Sequence, residues 1–213
     1  MWTLYVVATP IGNLKDITLR ALEVLKSVDI ILAEDTRVTR KLLSRYGISK
    51  QVLRYLPNRN YERFQNIALV TDAGTPGVSD PGLKLVQSLS ARGFKIIPIP
   101  GPSALSTIVS VSDIDLSEFV FLGFPPHKKG RQTFFKRAAA SEVPVIIFES
   151  PHRILKTLKE FRSAAGERRV NIGRELTKIY EEIFRGKISE ALEYFKGERV
   201  RGEFVLVLDT PDA

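Results

Sequence analysis

Three short clusters in this chain set acids beside arginine or lysine where an apolar run ends. Glu34-Asp-Thr-Arg37, continued by Arg40 and Lys41, follows Ile30–Ala33. Glu149-Ser-Pro-His-Arg153 closes the run Val143–Phe148, and Arg174-Glu-Leu-Thr-Lys178 follows Arg169–Gly173. A carboxylate in such a place can take a proton from a hydroxyl, while a guanidinium can grip phosphate oxygens in pairs. One cluster alone reads as well as a helix cap at Asp35 or Thr36 with helix-face ion pairs. Three of them, each with a cation, point to an anionic substrate.

A second set of residues offers backbone rather than charge. Ile67–Val70 runs into Thr71-Asp-Ala-Gly-Thr-Pro76 and Ser79-Asp-Pro-Gly82, and Lys95–Ile99 runs into Pro100-Gly-Pro-Ser103. The first apolar run, Leu4–Ala8, ends in Thr9-Pro-Ile-Gly-Asn13. Glycine lets a ligand approach the main chain, and proline holds a loop in shape before the ligand arrives. Loops of this kind at strand carboxyl ends are where open α/β sheets hold small polar molecules. Neither Gly-x-Gly-x-x-Gly nor a P-loop occurs, which argues against dinucleotides and nucleoside triphosphates.

The elements that must position these loops alternate in the first half. Expected strands are Leu4–Ala8, Ile30–Ala33, Gln51–Tyr55, Ile67–Val70 and Lys95–Ile99. Helices begin after Thr18, span Thr36–Tyr46 with Gly47 as the stop, begin at Pro81 behind an Asp80 cap, and begin at Ser103. Such alternation predicts a mainly parallel sheet covered on both faces. The polar stretch Val111–Ser117 suggests a boundary, with an N-terminal α/β domain over 1–114 and a C-terminal α/β domain over 115–213. The second half reads as strands Phe119–Leu122, Val143–Phe148, Arg169–Gly173, Ile179–Phe184 and Phe204–Leu208. Helices are expected over Gln132–Ala140, from Ile154, and after Ser189. With fewer helices between strands, a mixed sheet is expected there.

The 213 residues include no cysteine and only two histidines, His127 and His152. Disulfides, thiolate nucleophiles and cysteine metal sites are excluded, and a histidine metal site or Ser-His-Asp triad is poorly supplied. No metal site is expected. No apolar run approaches the roughly 20 residues that span a bilayer, and the start lacks a basic leader, so the expectation is a cytoplasmic protein. The net charge of +8 favours a polyanionic partner, most often nucleic acid.

Taken in order, Thr9–Thr18, Ala33–Arg37, Thr71–Pro76, Asp80–Gly82, Pro100–Ser103, Glu149–Arg153 and Arg174–Lys178 resemble the tetrapyrrole methylase (class III) superfamily. Within it, they resemble the bacterial ribosomal RNA small-subunit methyltransferase I family. The resemblance runs over essentially the whole chain. It implies two α/β domains with S-adenosylmethionine in a cleft between them, and a dimer. It also implies methylation of the ribose 2′-hydroxyl of a cytidine in the decoding region of 16S ribosomal RNA, with the assembled small subunit as the expected substrate. One stretch departs. Between Tyr55 and Ile67 members carry a longer segment after a His-Asn-Glu-like motif, which Asn58 and Asn60 match only in part.

Carried over by position, the resemblance places Pro10, Ile11, Gly74, Thr75, Pro76, Val78, Gly101, Ser103, Ala104, Phe148, Glu149 and Leu176 at the cofactor. Thr75 stands where relatives often have an acid. The ribose hydroxyl needs a base, for which Glu34, Asp35, Glu175 and Lys178 are candidates. Arg37, Arg40, Arg153 and Arg174 are candidates for RNA phosphates, and Lys128, Lys129 and Arg131 for an extension of that basic track. Two alternatives remain: a tetrapyrrole-precursor C-methyltransferase and a non-enzymatic RNA-binding module.

Overall fold

The computed structural model describes residues 2–56, 59–80 and 82–211. Asn58, and the proposed helix start at Pro81, lie outside the described residues. Contacts gather into two compact units, Met1–Ser103 and Ala104–Ala213.

The first unit is built on strands β1 (Thr3–Val7), β2 (Ile30–Ala33), β3 (Val52–Arg54), β4 (Asn66–Val70) and β5 (Lys95–Ile99), in the order β3-β2-β4-β1-β5. Every pairing is parallel. Parallel strands are covered on both faces, so they need apolar runs rather than alternation. Ile30, Ile31, Leu32 and Ala33 are accordingly all buried. Helix α1 (Leu19–Ser27) starts where Thr18 Oγ1 accepts the Ala21 N–H at 3.0 Å, and it buries Ala21 and Leu25. Helix α2 (Thr36–Arg45) is capped by Asp35, whose Oδ1 accepts the Arg37 N–H at 2.8 Å. It ends at Gly47, whose φ of +62° turns the chain back. The stretch before β4 is tied into the core: Tyr61 is buried and its hydroxyl accepts the Leu56 N–H at 2.9 Å. Asp29 Oδ2 accepts the N–H groups of Gln65 and Asn66.

Helix α3 (Leu83–Ala91) corrects one expectation. Gly82 occupies its N-cap and no side chain caps it, so Asp80 is not the cap. The Asp80 carboxyl instead hydrogen-bonds the Thr71 side chain, at the end of β4.

The second unit opens with α4 (Ala104–Val111), which packs on the central strand of its sheet. The sheet comprises β6 (Val120–Phe121), β7 (Val145–Glu149), β8 (Arg169–Arg174), β9 (Glu182–Lys187) and β10 (Phe204–Leu208), in the order β6-β7-β10-β8-β9. β6 and β7 are parallel and the remaining pairs antiparallel, the mixed sheet expected. β10 lies at the centre and all five of its residues are buried. Helices α5 (Arg131–Ala139), α6 (Ile154–Ala165) and α7 (Ile188–Tyr194) complete the unit. Phe135, Phe161, Phe195 and Phe204 belong to one core whose rings meet edge to face. Such side chains contribute about 1.5–3 kcal/mol each on full burial.

The strand expected at Ile179–Phe184 begins only at Glu182. Glu175 and Thr177 adopt φ of +51° and +67°, and backbone bonds from Lys178 to Glu175 and from Glu181 to Lys178 coil the chain into successive turns. Ile179 and Tyr180 therefore project from the surface, 94% and 72% exposed. Their apolar character had mimicked a strand.

Candidate functional site

β4, β1 and β5 are neighbours, so the three loops that leave their carboxyl ends are neighbours too. Thr9 and Gly74 exchange two backbone hydrogen bonds, Thr9 N–H to Gly74 O at 2.9 Å and Gly74 N–H to Thr9 O at 3.0 Å. Thr9 Oγ1 donates to Thr71 O at 3.1 Å. Thr75 Oγ1 donates to Pro102 O at 3.2 Å, which joins the β4 loop to the β5 loop. The Ala8 N–H donates to Ile99 O at 3.1 Å, so the β1 and β5 loops leave the sheet side by side.

Two glycines mark close approach in this cradle. Gly74 has φ +82°, and a Cβ there would stand 3.4 Å from Ile11 Cγ2. A Cβ on Gly101 would stand 3.1 Å from Ala8 Cβ. Pro10 and Ile11 are buried, while Thr75, Pro76, Val78 and Ser103 are partly buried. The first-unit members of the expected cofactor set are thus brought together. Ala104 is the first residue of α4 and belongs to the second unit.

Beside the cradle, β2 and β4 end in carboxylates. Thr71 Oγ1 donates to Glu34 Oε2 at 3.0 Å, and Asp72 Oδ1 accepts the Asp35 N–H at 2.9 Å. Burial, reinforced by the Glu34 and Asp72 charges, pushes the Asp80 carboxyl up to about 6. Asp72 is raised too, first by burial and then by the charges of Glu34 and Asp35. Asp35 goes the other way, held well below the carboxylate range by hydrogen bonds from Arg37. Glu34, Thr71 and Asp80 line a cavity of about 10 Å3, and Tyr55, which also lines it, has a buried hydroxyl without a hydrogen-bond partner among the described residues. The sequence reading missed Tyr55 and Thr71, and read Asp80 as a cap. The signal available was the tight spacing of Asp72 and Asp80 around a proline-glycine loop.

Backbone carbonyls, close-approach glycines and a local excess of carboxylates suit a ligand that is mostly polar and carries net positive charge. S-adenosylmethionine is such a ligand, and the two glycines let the three loops pack closely enough to present their main chain together.

In the second unit the expected site residues are differently employed. Glu149 is fully buried: Oε1 pairs with Arg153 at 2.7 Å and Oε2 accepts from Thr157 Oγ1 at 2.6 Å. Phe148 meets Phe121 and Phe124 edge to face, at 4.9 and 5.6 Å between centroids. Leu176 is buried against Gly173. Arg174 Nε donates to Glu182 Oε2 at 2.8 Å. Lys178 Nζ bridges Glu175 at 2.7 Å and Glu203 at 2.8 Å. Those bonds hold the Glu175 carboxyl below its ordinary value against the opposing effect of burial. They also raise Lys178, again against burial. Arg37 and Arg40 of the first unit are exposed.

Residues 3–192 match the family of Tetrapyrrole (Corrin/Porphyrin) Methylases. Among solved structures, a cobalamin biosynthetic enzyme, cobalt precorrin-4 methyltransferase, superposes with a TM-score of 0.69 over 97% of this chain and 94% of that one, at 17% identity. It shares the fold. A ribosomal RNA small subunit methyltransferase I from Thermotoga maritima is 43% identical, covering 98% of both chains. One from Borrelia garinii subsp. bavariensis is 45% identical over 96% of this chain and 97% of its own. The chain therefore belongs to the tetrapyrrole methylase family and, within it, to the ribosomal RNA small subunit methyltransferase I group.

Proposed function

We propose that this protein is an S-adenosylmethionine-dependent methyltransferase that modifies the ribose 2′-hydroxyl of a cytidine in 16S ribosomal RNA. The observation that carries the reading is the joining of the Thr9, Gly74–Thr75 and Pro102 loops into one glycine-crowded backbone cradle, in a chain 43% identical to ribosomal RNA methyltransferases over nearly its full length.

Bound S-adenosylmethionine supplies an electrophilic methyl group. Pro10, Ile11, Gly74, Thr75, Pro76, Val78, Gly101 and Ser103 would hold it, through the main chain of the joined loops. The protein must also place the ribose oxygen about 3–3.5 Å from the carbon it attacks. It must then accept the hydroxyl proton.

Of the four candidate bases, Glu34 is the best supported. Asp35 is committed to Arg37 and the α2 cap, and its depressed pKa makes it a weak acceptor. Glu175 and Lys178 neutralise each other. Glu34 has a neutral partner in Thr71 and a companion acid in Asp80, whose carboxyl is pushed up to about 6. Arg37 and Arg40 lie on the exposed face of α2, where RNA phosphates can reach them. Arg153 and Arg174 are spoken for by Glu149 and Glu182, and contribute to RNA binding through the loops they hold.

Among the described residues no helix is long and apolar enough to cross a membrane. We place the protein in the cytoplasm as a homodimer acting on the small subunit, with light scattering as the check on its mass.

Tritium transfer from S-adenosylmethionine tests the reading directly. Unmodified small subunits should take up label as alkali-resistant 2′-O-methylcytidine. Label on a porphyrinogen and none on the subunit would overturn it in favour of tetrapyrrole chemistry. Failure to bind millimolar cofactor would favour a binding module.

A further inference from the structure

Two arginines in the second unit are spent on the backbone of one exposed loop. Arg131, the first residue of α5, is buried, and its Nη1 donates to Pro126 O at 2.9 Å. Arg153 Nη1 donates to the preceding carbonyl, Pro125 O, also at 2.9 Å. Each guanidinium has its own carboxylate: Glu160 accepts from Arg131 Nε and Nη2 at 2.9 and 2.6 Å, and Glu149 pairs with Arg153. Thr157 joins the two halves, accepting from Arg131 Nη2 at 2.9 Å and donating to Glu149 at 2.6 Å.

Buried ion networks stabilise folds weakly, because desolvation offsets most of the attraction. What this one does is fix geometry. Two prolines with set φ are pinned by their carbonyls, and Gly130, with φ +81°, turns the chain into α5. The pinned segment then presents His127, Lys128 and Lys129, all exposed. Among the described residues neither lysine is in an ion pair. The positive end of α5 lies directly behind them.

We propose that the loop 125–130 is a phosphate-binding arm for ribosomal RNA, with Lys128 and Lys129 as its contacts and Arg131, Arg153 and Thr157 as positioning residues. The proposal rests on the methyltransferase reading above and adds to it a second place where the RNA backbone is held. A preset arm loses little conformational freedom on binding, and two lysines in it release two condensed counterions.

The test compares wild type, Lys128→Ala/Lys129→Ala and Lys128→Arg/Lys129→Arg as full-length proteins. Calorimetry with S-adenosylmethionine reports the fold and the cofactor site. Affinity for small subunits is measured from about 50 to about 200 mM salt, alongside KM and kcat for methyl transfer. The double alanine variant should bind subunits roughly tenfold more weakly, with a salt slope shallower by about two and unchanged cofactor affinity and kcat. The double arginine variant should restore the slope. Thr157→Val should raise KM at unchanged kcat, and Thr157→Ser should reverse this. A double alanine variant with wild-type affinity and slope would overturn the arm while leaving the enzyme reading intact. A wild type that fails to label the subunit at all would instead overturn that reading, and the arm with it.

Discussion

The strand ends of the two units carry similar letters and do different physics. In the first unit, the loops after β1, β4 and β5 are joined mostly by main-chain bonds, and among the described residues no arginine is hydrogen-bonded to the neighbouring acids Glu34, Asp72 and Asp80. In the second, acids and bases cancel. Glu149 takes Arg153, Glu182 takes Arg174, and Lys178 takes Glu175 and Glu203. The same strand-end pattern of acid and cation thus yields a polar, charge-imbalanced pocket in one place and a set of rigid struts in the other. Composition at a strand end does not decide between these outcomes; the exposure of the cation does. The Arg37 side chain is 83% exposed, whereas those of Arg153 and Arg174 are 17% and 13% exposed.

The largest effect expected from this contrast is at Glu149. Glu149→Ala leaves the partly buried Arg153 guanidinium and the Thr157 hydroxyl without their acceptor. Losing one member of a buried pair costs about 3–5 kcal/mol. For a chain of this size the melting temperature should fall by roughly 10 °C without any cofactor present. A melting curve unchanged from wild type would remove the strut interpretation. Next in size is Gly101→Val. Its Cβ would sit 3.1 Å from Ala8 Cβ before the two further methyls are added. Overpacking of this kind costs about 1–3 kcal/mol. Here the strain falls on the β5 loop, so cofactor affinity by calorimetry should drop at least as sharply as stability does.

Why the contrast escaped the sequence is clear from particular residues. The five parallel strands were legible because Ile30–Ala33 and Ile67–Val70 are unbroken apolar runs, which only a sheet covered on both faces tolerates. The caps at Thr18 and Asp35 were legible because capping is local. The partners of Arg153 were half legible: Glu149 lies four residues away, but Pro125 O arrives from another loop. Arg131 could be read only as a surface charge, because Glu160 and Thr157 come from a different helix. Asp80 looked like a cap since it precedes a helix, and nothing local reveals that Thr71 hydrogen-bonds it or that the Glu34 charge lies close by. Ile179 and Tyr180 misled in the opposite sense, as apolar residues that remain largely exposed.

Asp80 gives the comparison a pH axis. Its carboxyl is pushed from 3.8 up to about 6, so the folded protein holds a proton that the unfolded chain has already released in that interval. More protons bound by the native state means that stability falls as pH rises from about 4 to about 6. The ionised group then remains a liability above that window. After allowance for solvent around the site, the liability is about 1–2 kcal/mol. Asp80→Asn should remove it. Urea unfolding should show variant and wild type converging near pH 4, and the variant more stable by that amount at pH 7. Equal stability at both pH values would mean that neither burial nor the Glu34 charge raises Asp80.

The smallest effect on the fold, and the one that best separates the two units, is expected at Arg37. Its ion pair with Asp35 is at the surface, and such pairs are worth roughly 0–1 kcal/mol. Asp35 keeps its cap to the Arg37 main-chain N–H whatever the side chain, so α2 should remain in place in Arg37→Ala. Unfolding should therefore shift by less than about 0.5 kcal/mol. Binding to the small subunit should nevertheless lose about one unit of salt slope, because one phosphate contact disappears. The same exchange at Arg174, whose guanidinium holds Glu182 and Arg201 O, should do the reverse, with lowered stability and an RNA salt slope close to wild type. If both variants lost salt slope equally, exposure would not distinguish a phosphate ligand from a strut, and the two units would be working the same way after all.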